Sequence, residues 1–463
     1  MIDALTGVLV IPAIAAGLLA TLPGYRLSAR LNVLAALLTF LTAISLFVVE
    51  PTSGSYLLVD DLNKVFIVLT TFVGFTTSVF SASYIGHEIE IGRLTTAFVR
   101  FYHAMYQVLM FAMNLALVAN NIGLMWVAIE MATLTTVLMV GIYRTHEALE
   151  AAWKYFILGS VGIALALFGT ILVYMAARPV IGEGLEAMVW TILVRHAAKF
   201  DPALLNVAFI FLLLGYGTKV GLAPLHAWLP DAHAEGPTPI SAVLSGLLLN
   251  VALYALLRFK MLLALNPAAI APGPLMVIMG LVSCLFAAFM LYRRRDIKRM
   301  FAYSSIEHMG IIVFAFGMGG ALANFAGLLH MTMHSLTKSA IFFAVGRLTV
   351  TNPVLGWGLV LGVVAIAGLP PLGIFMSEFL VVSSTFAREP WLATILVLGI
   401  LVALGGLFLR LNTIAFGAPR GPTAPAEASY VPMFAHLAIV FMAGIYMPPA
   451  LVDGFQNVAR LLG

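Results

Sequence analysis

The residue with the most chemistry to offer is Lys219. It lies in an apolar stretch that opens as Phe209-Ile210-Phe211-Leu212-Leu213-Leu214. The stretch then runs through Gly215, Gly217, Lys219, Gly221, Pro224, His226, Pro230, Asp231, His233, Glu235 and Pro237 before Asn250. A lysine centred in an apolar run costs roughly 2.5–3.5 kcal/mol on insertion scales, and by default it marks a functional site. The glycines loosen the helix, and Pro224 has no N–H to give while its ring clashes one turn back. Non-helical backbone at membrane depth survives only where it is buried in protein or lines a polar cavity. A broken helix with a lysine beside the break is an architecture ion translocators use at the bilayer midplane.

Other titratable residues stand at comparable depth. Glu130 is isolated in Met125-Trp126-Val127-Ala128-Ile129-Glu130-Met131-Ala132-Thr133-Leu134-Thr135. It is either a protonated carboxyl bonded to a neighbouring helix or the partner of Lys219, and insertion cost favours the pair. In such a pair each group's proton affinity depends on the other's charge. His330, His334 and Lys338 recur every four residues and form one helical stripe. Two histidines at that spacing can ligate zinc, but no cysteine or obvious third ligand accompanies them. A proton relay fits better, since histidine titrates near physiological pH. Adjacent Glu307 and His308 are expected to point apart, with His308 facing the hydrated interior. Asn250 is a neutral polar residue at depth, able to bond across helices. Lys154 is either an interfacial lysine that snorkels or a further relay group. Glu378 follows a second Gly/Pro interruption, Gly368-Leu369-Pro370-Pro371-Leu372-Gly373.

The elements that must position these groups are membrane helices. The chain has 463 residues, of which 62% are hydrophobic and 10% charged, with a mean hydropathy of +1.05. A soluble chain would carry about 25% charged residues. Runs of about 20 apolar residues predict an all-α integral membrane protein of about fourteen spans, the seventh and twelfth being interrupted. Two such breaks five helices apart predict two inverted five-helix repeats. The expected organisation is an N-terminal three-helix segment with a cytoplasmic loop (1–104), repeats at 105–264 and 272–417, and a C-terminal helix with its tail (418–463). The 84–104 connection, with Glu88, Glu90, Arg93 and Arg100, reads as a solvated or docking surface, and 177–204 as an exposed loop or surface helix. Met1-Ile2-Asp3 lacks a basic n-region, so the first span reads as a retained helix and not a cleaved signal. The single cysteine, Cys284, excludes a disulfide framework or a cysteine-ligated cluster. Placing odd-to-even connections in the cytoplasm puts fourteen Lys/Arg residues there and eight opposite, leaving Lys219 and Lys338 inside spans. That asymmetry predicts both termini outside the cytoplasm. The net charge of +4 reports orientation, and no nucleic-acid partner is expected.

One run is long enough to resemble a known signature. Gly217-Thr218-Lys219-Val220-Gly221-Leu222-Ala223-Pro224-Leu225-His226-Ala227-Trp228-Leu229-Pro230-Asp231-Ala232-His233 resembles the proton-pumping, antiporter-like membrane subunits of respiratory complex I. That family also includes subunits of Mrp sodium/proton antiporters and of membrane-bound hydrogenases. Ala302-Tyr303-Ser304-Ser305-Ile306 with His308-Met309-Gly310, and Gly368-Leu369-Pro370-Pro371, resemble further family motifs. The resemblance covers roughly spans three to fourteen. It implies that Glu130 and Lys219 form a coupled pair and that Glu378 is an acidic output residue. It also implies that His226, His308, His334 and Lys338 belong to a hydrated central axis, with His330, Glu307, Asn250 and Lys154 as further relay candidates. Many complex I members carry a lysine where this chain has Asn250, and a small polar residue where it has Glu307. Glu150-Ala151-Ala152-Trp153-Lys154-Tyr155-Phe156-Ile157-Leu158-Gly159 and Leu249-Asn250-Val251-Ala252-Leu253-Tyr254 resemble most the hydrogenase-4 component F branch. The resemblance implies a prokaryotic inner-membrane subunit holding no cofactor and no metal, a non-redox part of an oxidoreductase. Its partners would be other membrane subunits and cytoplasmic iron–sulfur and hydrogenase-like subunits. Three rival readings remain open: an Mrp-type antiporter subunit, an inorganic-carbon-uptake subunit, and a structural anchor that does not conduct.

Overall fold

Backbone N–H and C=O groups inside a bilayer must bond within their own segment, which restricts an apolar chain of this kind to helices. The computed structural model describes residues 3–49, 54–293, 296–346, 353–415 and 429–463. Helices α1 (Ala4–Thr21), α2 (Tyr25–Ser45) and α3 (Asp61–Glu90) come first, then α4 (Thr96–Val118), α5 (Ile122–Val140) and α6 (His146–Ile181). A short helix, α7 (Trp190–His196), leads into α8 (Pro202–Val220), and α9 (Trp228–Glu235) follows the break after α8. One continuous span contains α10 (Thr238–Val243), a π-turn over Leu244–Leu248, and α11 (Leu249–Ala264). Next come α12 (Pro272–Leu291), α13 (Ile297–Met318) and α14 (Ala321–Val345). The second interrupted span is α15 (Pro353–Ile366) and α16 (Gly373–Phe386), followed by α17 (Pro390–Ala415), α18 (Val431–Ile445) and α19 (Pro449–Leu461). Among the described residues β-structure is confined to two isolated bridges, Leu57 with Ala119 and Asn121 with Val189.

Among the described residues eleven helices are long and apolar enough to cross a membrane, or twelve if α18 and α19, bent by 82°, form one span. The sequence-based expectation was about fourteen. Of the remaining runs, α14 is diluted by His330, His334 and Lys338, and α15 and α16 are each too short alone. Burial separates centre from rim: the Thr238–Ala264 span is 100% buried and α13 94%, against 39% for α1, α2, α12 and α17. Asn250, Glu307 and His308 sit on these two innermost spans, whereas Glu130 and Lys219 sit on spans of intermediate burial, 56% and 61%.

Two details differ from the sequence reading. Helix α3 continues to Glu90, and Glu88 is buried, 3.7 Å from Arg93 Nη1, so that connection is shorter and less solvated than expected. The 177–204 connection presents Trp190, Leu193 and Ala197 inward, so α7 is a surface helix with a buried face. Of the basic residues used for orientation, Arg294, Arg295, Arg347 and Arg420 lie outside the described residues.

Small residues let the helices around the centre approach closely, as expected where packing and not hydrophobicity drives association. A Cβ at Gly280 of α12 would meet Gly310 O at 2.6 Å, and one at Gly310 of α13 would meet Gly280 O at 2.6 Å. Seven residues on in α13 and seven back in α12, a Cβ at Gly317 would meet Gly273 O at 2.9 Å. Helices α6 and α8 join in the same way, a Cβ at Gly215 reaching within 2.6 Å of Gly162 O.

A buried ion pair pins the entry to α3. Arg258 of α11 donates to both carboxylate oxygens of Asp60, at 2.7 and 2.8 Å, and through Nε to the Tyr254 hydroxyl at 2.9 Å, under the Trp190 ring. Burial pushes the Asp60 carboxyl pKa up, but Arg258 and the α3 N–H groups outweigh it and hold the carboxyl below its ordinary value. Removing one partner of a buried pair costs about 3–5 kcal/mol. Asp60→Asn is expected near the low end, because 27% of the Asp60 side chain is exposed. A depressed carboxyl stabilises the fold above its unfolded pKa of about 3.9 and loses that contribution as pH falls through the folded value. Thermal melts of the wild type and Asp60→Asn in detergent should therefore differ at pH 7 and converge on acidification below about pH 4. A gap that persists unchanged into acid would contradict this assignment.

Candidate functional site

Helix α8 ends where its sequence demands. Gly221 takes the left-handed conformation at φ +85°, Leu222 N–H bonds back to Gly217 O at 2.8 Å, and Gly221 N–H bonds to Thr218 O at 3.2 Å. Such an end satisfies carbonyls that the break would otherwise orphan. Trp228, from beyond the break, donates its indole N–H to the Thr218 carbonyl at 2.8 Å. Lys219 thus lies in the last turn of α8, at the negative end of the helix dipole.

Lys219 is 1% exposed and its Nζ has no hydrogen-bond partner. The ammonium group lies 5.0 Å from the centroid of the Tyr155 ring and 5.9 Å from that of Trp228, two rings stacked at 4.3 Å. Cation–π attraction partly replaces lost water. The Tyr155 hydroxyl is fixed by Thr136 of α5 at 2.7 Å. Gly159 of α6 makes room: a Cβ there would be 2.9 Å from Lys219 Nζ and 3.4 Å from Thr133 Cγ2. Thr133 is one turn from Glu130 on α5, whose Oε2 is buried without a partner. Gly159 thus lies between Lys219 Nζ and the face of α5 that carries Thr133, one turn from Glu130. Glu130 Oε2 and Lys219 Nζ are both buried and form no hydrogen bond with each other.

Asn250 sits two residues after the π-turn and donates to Gly246 O at 3.0 Å and to Ser335 Oγ of α14 at 2.7 Å. Its Oδ1 is unpartnered. Next to it, Ser245 bonds Ser305 of α13 at 2.7 Å. Lys338 of α14 is fully buried and donates to the Phe301 carbonyl at 2.9 Å, with the Phe301 ring 5.5 Å away. His334 is buried with both ring nitrogens unpartnered, its ring 5.5 Å from that of His308.

The second break is built like the first. Ala367–Leu372 separates α15 from α16, with Gly368 at φ +65°; a Cβ there would be 3.0 Å from the Glu378 carboxyl carbon. The breaks also share a cis X–Pro bond, Ala223–Pro224 and Pro370–Pro371. Around Glu378, His308 Nδ1 lies 2.9 Å from His330 Nε2 and 3.9 Å from Glu378 Oε1. His330 Nδ1 is 2.9 Å from Ser377 Oγ. Donor atoms of His308, His330 and Glu378 all fall within 4.8 Å of one another. Glu307 and His308 do not diverge as expected: Glu307 Oε2 lies 3.2 Å from His308 Nε2. Neighbouring Cβ atoms on a helix point about 100° apart, yet the longer glutamate arm swings back in this packed interior. Of the two α14 histidines only His330 belongs to this cluster; the other two groups come from α13 and α16, which is why spacing along α14 did not show them.

His226 is nearly buried, edge-on to Phe286 at 4.7 Å, just past the first break. Lys154 is on the rim: 48% exposed, it pairs with Glu150 at 2.7 Å and Asp231 at 3.2 Å, and Asp231 in turn pairs with Arg299. Some polar contacts escaped sequence reasoning altogether. His436 of α18 lies between Thr76 of α3 (2.8 Å) and the Leu336 carbonyl of α14 (3.1 Å). His233 is buried, stacked on Phe342 at 4.9 Å. A lone histidine in an apolar helix was the only signal for His436.

This combination defines a polytopic α-helical membrane protein with buried ionisable residues strung between two broken helices. Residues 119–403 match the family described as NADH:quinone oxidoreductase/Mrp antiporter, TM. The hydrogenase-4 component F homolog of Methylacidiphilum infernorum (isolate V4) is 64% identical over 470 aligned positions, spanning 98% of this chain and 99% of that protein. The chain belongs to the NADH:quinone oxidoreductase/Mrp antiporter membrane-subunit family, as its motifs implied. A chain of the membrane-bound sulfane sulfur reductase, an archaeal respiratory membrane complex, has the same fold, with a TM-score of 0.85 at 23% identity, covering 98% of this chain and 96% of that one. A chain of the Mrp complex from Dietzia sp. DQ12-45-1b superposes with a TM-score of 0.84 at 18% identity, covering 99% and 97%.

Proposed function

We propose that this chain is the proton-translocating membrane subunit of a hydrogenase-4-like, complex-I-related oxidoreductase assembly. The observation that carries this reading is Lys219: a buried amine without a hydrogen-bond partner, at a helix break, with Gly159 leaving space between it and the helix that carries Glu130. Burying such a group is costly and does nothing for the fold that a methionine would not do better.

In this reading, proton transfer depends on whether Glu130 and Lys219 are closed or open. Charge then shifts toward Lys338, and onward through His334, His308 and His330, with Glu307 alongside, to Glu378; His226 serves the first break. Asn250 is neutral and cannot carry a proton, so a water held near its free Oδ1 and Ser335 completes the path between α11 and α14. Lys154, in its surface network, anchors α6 to α9 in this scheme. Residues 105–264 and 272–417 act as inverted repeats, which the like construction of the two breaks supports.

The chain holds no cofactor in this account. Moving one charge against 100 mV takes about 2.3 kcal/mol, so a coupled reaction on partner subunits supplies it. The proposed partners are other membrane subunits of the assembly, together with cytoplasmic iron–sulfur and hydrogenase-like subunits. The proposed setting is a prokaryotic inner membrane, with the termini on the periplasmic face. The test is mild-detergent purification of the tagged chain and mass spectrometry of its companions. Hydrogenase-like and iron–sulfur subunits are expected. Small membrane subunits alone would instead support the Mrp-type reading, and a single zinc-bearing soluble protein the carbon-uptake one.

A further inference from the structure

The junction of α13, α14 and α16 offers more than a line of proton carriers. We propose that His308, His330 and Glu378 form a binding site for one divalent transition-metal ion, of the class that zinc represents, inside the helical bundle.

The donor set is two imidazoles and a carboxylate from three different helices, which is the ligand chemistry zinc takes when one position is left open. Zinc lies about 2.0–2.2 Å from such ligands, so the donor atoms of a tetrahedral site sit roughly 3.3 Å apart. Here the spacings from His308 Nδ1 are 2.9 Å to His330 Nε2 and 3.9 Å to Glu378 Oε1. One gap must open and the other close by about half an ångström, within reach of side-chain rotation.

The groups behind the ligands are also in place. Ser377 donates its single hydroxyl proton to the Ile374 carbonyl at 2.8 Å. It can therefore only accept from His330, so the His330 proton is on Nδ1 and the Nε2 lone pair faces the cluster. His308 now donates from Nδ1. To bind a metal it gives up that proton and carries one on Nε2 instead, where Glu307 Oε2 waits at 3.2 Å. Neither of those two atoms has a hydrogen-bond partner as they stand, and both side chains are 2% exposed. Each ligating histidine thus has an oxygen partner on its far nitrogen, the arrangement that fixes ring orientation in metal sites. Charge balances as well: two neutral imidazoles, the Glu378 carboxylate and the Glu307 carboxylate offset the two positive charges of the ion. His334, with both ring nitrogens unpartnered and its ring 5.5 Å from that of His308, is available for a fourth position.

The binding is a property of these side chains whether or not the chain carries protons. It is tested on the purified assembly by adding zinc chloride, removing loose metal with a weak chelator and counting zinc per chain. X-ray absorption at the zinc edge then reads the ligands. One zinc with two imidazoles and a carboxylate oxygen is expected. Affinity should fall more than about 100-fold in His308→Gln and in His330→Gln, and about 10-fold in Ser377→Ala, a change behind the ligands that leaves the core packed. No retained zinc, an all-oxygen shell, or unchanged affinity in both histidine variants would overturn the proposal.

Discussion

Replacing Lys219 with methionine is expected to abolish ion translocation while leaving the chain as stable as before or more so. The two effects run in opposite directions for one physical reason. Lys219 Nζ is buried without a hydrogen-bond partner, held only by two aromatic faces and the end of α8. Replacing a whole buried ion pair by apolar groups is commonly neutral or stabilising by about 1–4 kcal/mol. Glu130 leaves no stranded charge once Lys219 is gone, because it is only half-buried and a carboxyl can take up a proton. A positioned proton donor or acceptor, by contrast, contributes roughly 10²–10⁴-fold to rate, so transport should drop at least about 100-fold. Glu130→Gln should stop transport equally, but it leaves the Lys219 charge uncompensated and should lower stability. The double variant should show transport no worse than either single one, because the two groups act as a unit. If Lys219→Met both destabilised the chain and left transport intact, the lysine would be structural.

The second large effect lies in packing. Gly310→Val should disrupt the α12–α13 pair and lower the melting temperature sharply. A Cβ at Gly310 would lie 2.6 Å from Gly280 O and 2.7 Å from Cys284 N, and these are backbone atoms that cannot swing away. Overpacking of this kind costs about 1–3 kcal/mol and occasionally more; with two backbone contacts the upper end, about 3 kcal/mol, is expected. Glu307 and His308 are carried on the same turn as Gly310, so whatever protein survives should also transport poorly. Gly356→Ala serves as the control, since nothing lies within 4 Å of a Cβ there. Equal melting temperatures for the Gly310→Val and Gly356→Ala variants would contradict the packing account.

How much of this could be read from the residues alone follows from the range of the forces involved. Lys219 and the two breaks were legible because insertion cost and the missing proline N–H are local properties, written in a few consecutive residues. Glu130 was legible for the same reason, and so was the His330, His334, Lys338 stripe, since a four-residue spacing is a helical face. The space beside Lys219 was not legible, because Gly159 makes it and Gly159 looks like any small residue in an apolar helix. The Ser377–His330 bond spans 47 positions and the Asn250–Ser335 bond 85; no periodicity reports either. The π-turn at Leu244–Leu248 is equally silent, being made of residues that suit an α-helix. Glu307 was misplaced by a rule about Cβ directions that holds for the backbone but not for a long side chain.

In the proposed mechanism the Glu130–Lys219 pair gates proton movement through this chain. The most direct measurement uses the complete assembly reconstituted into sealed vesicles that contain a pH-sensitive dye, with a sodium-sensitive dye in a parallel set. On addition of electron donor and acceptor, wild-type vesicles should change internal pH in sodium-free buffer, and a protonophore should collapse the change. Vesicles with Glu130→Gln should carry the full subunit set and show no pH change. An unaltered pH change in Glu130→Gln, or transport that appears only with sodium, would contradict the account.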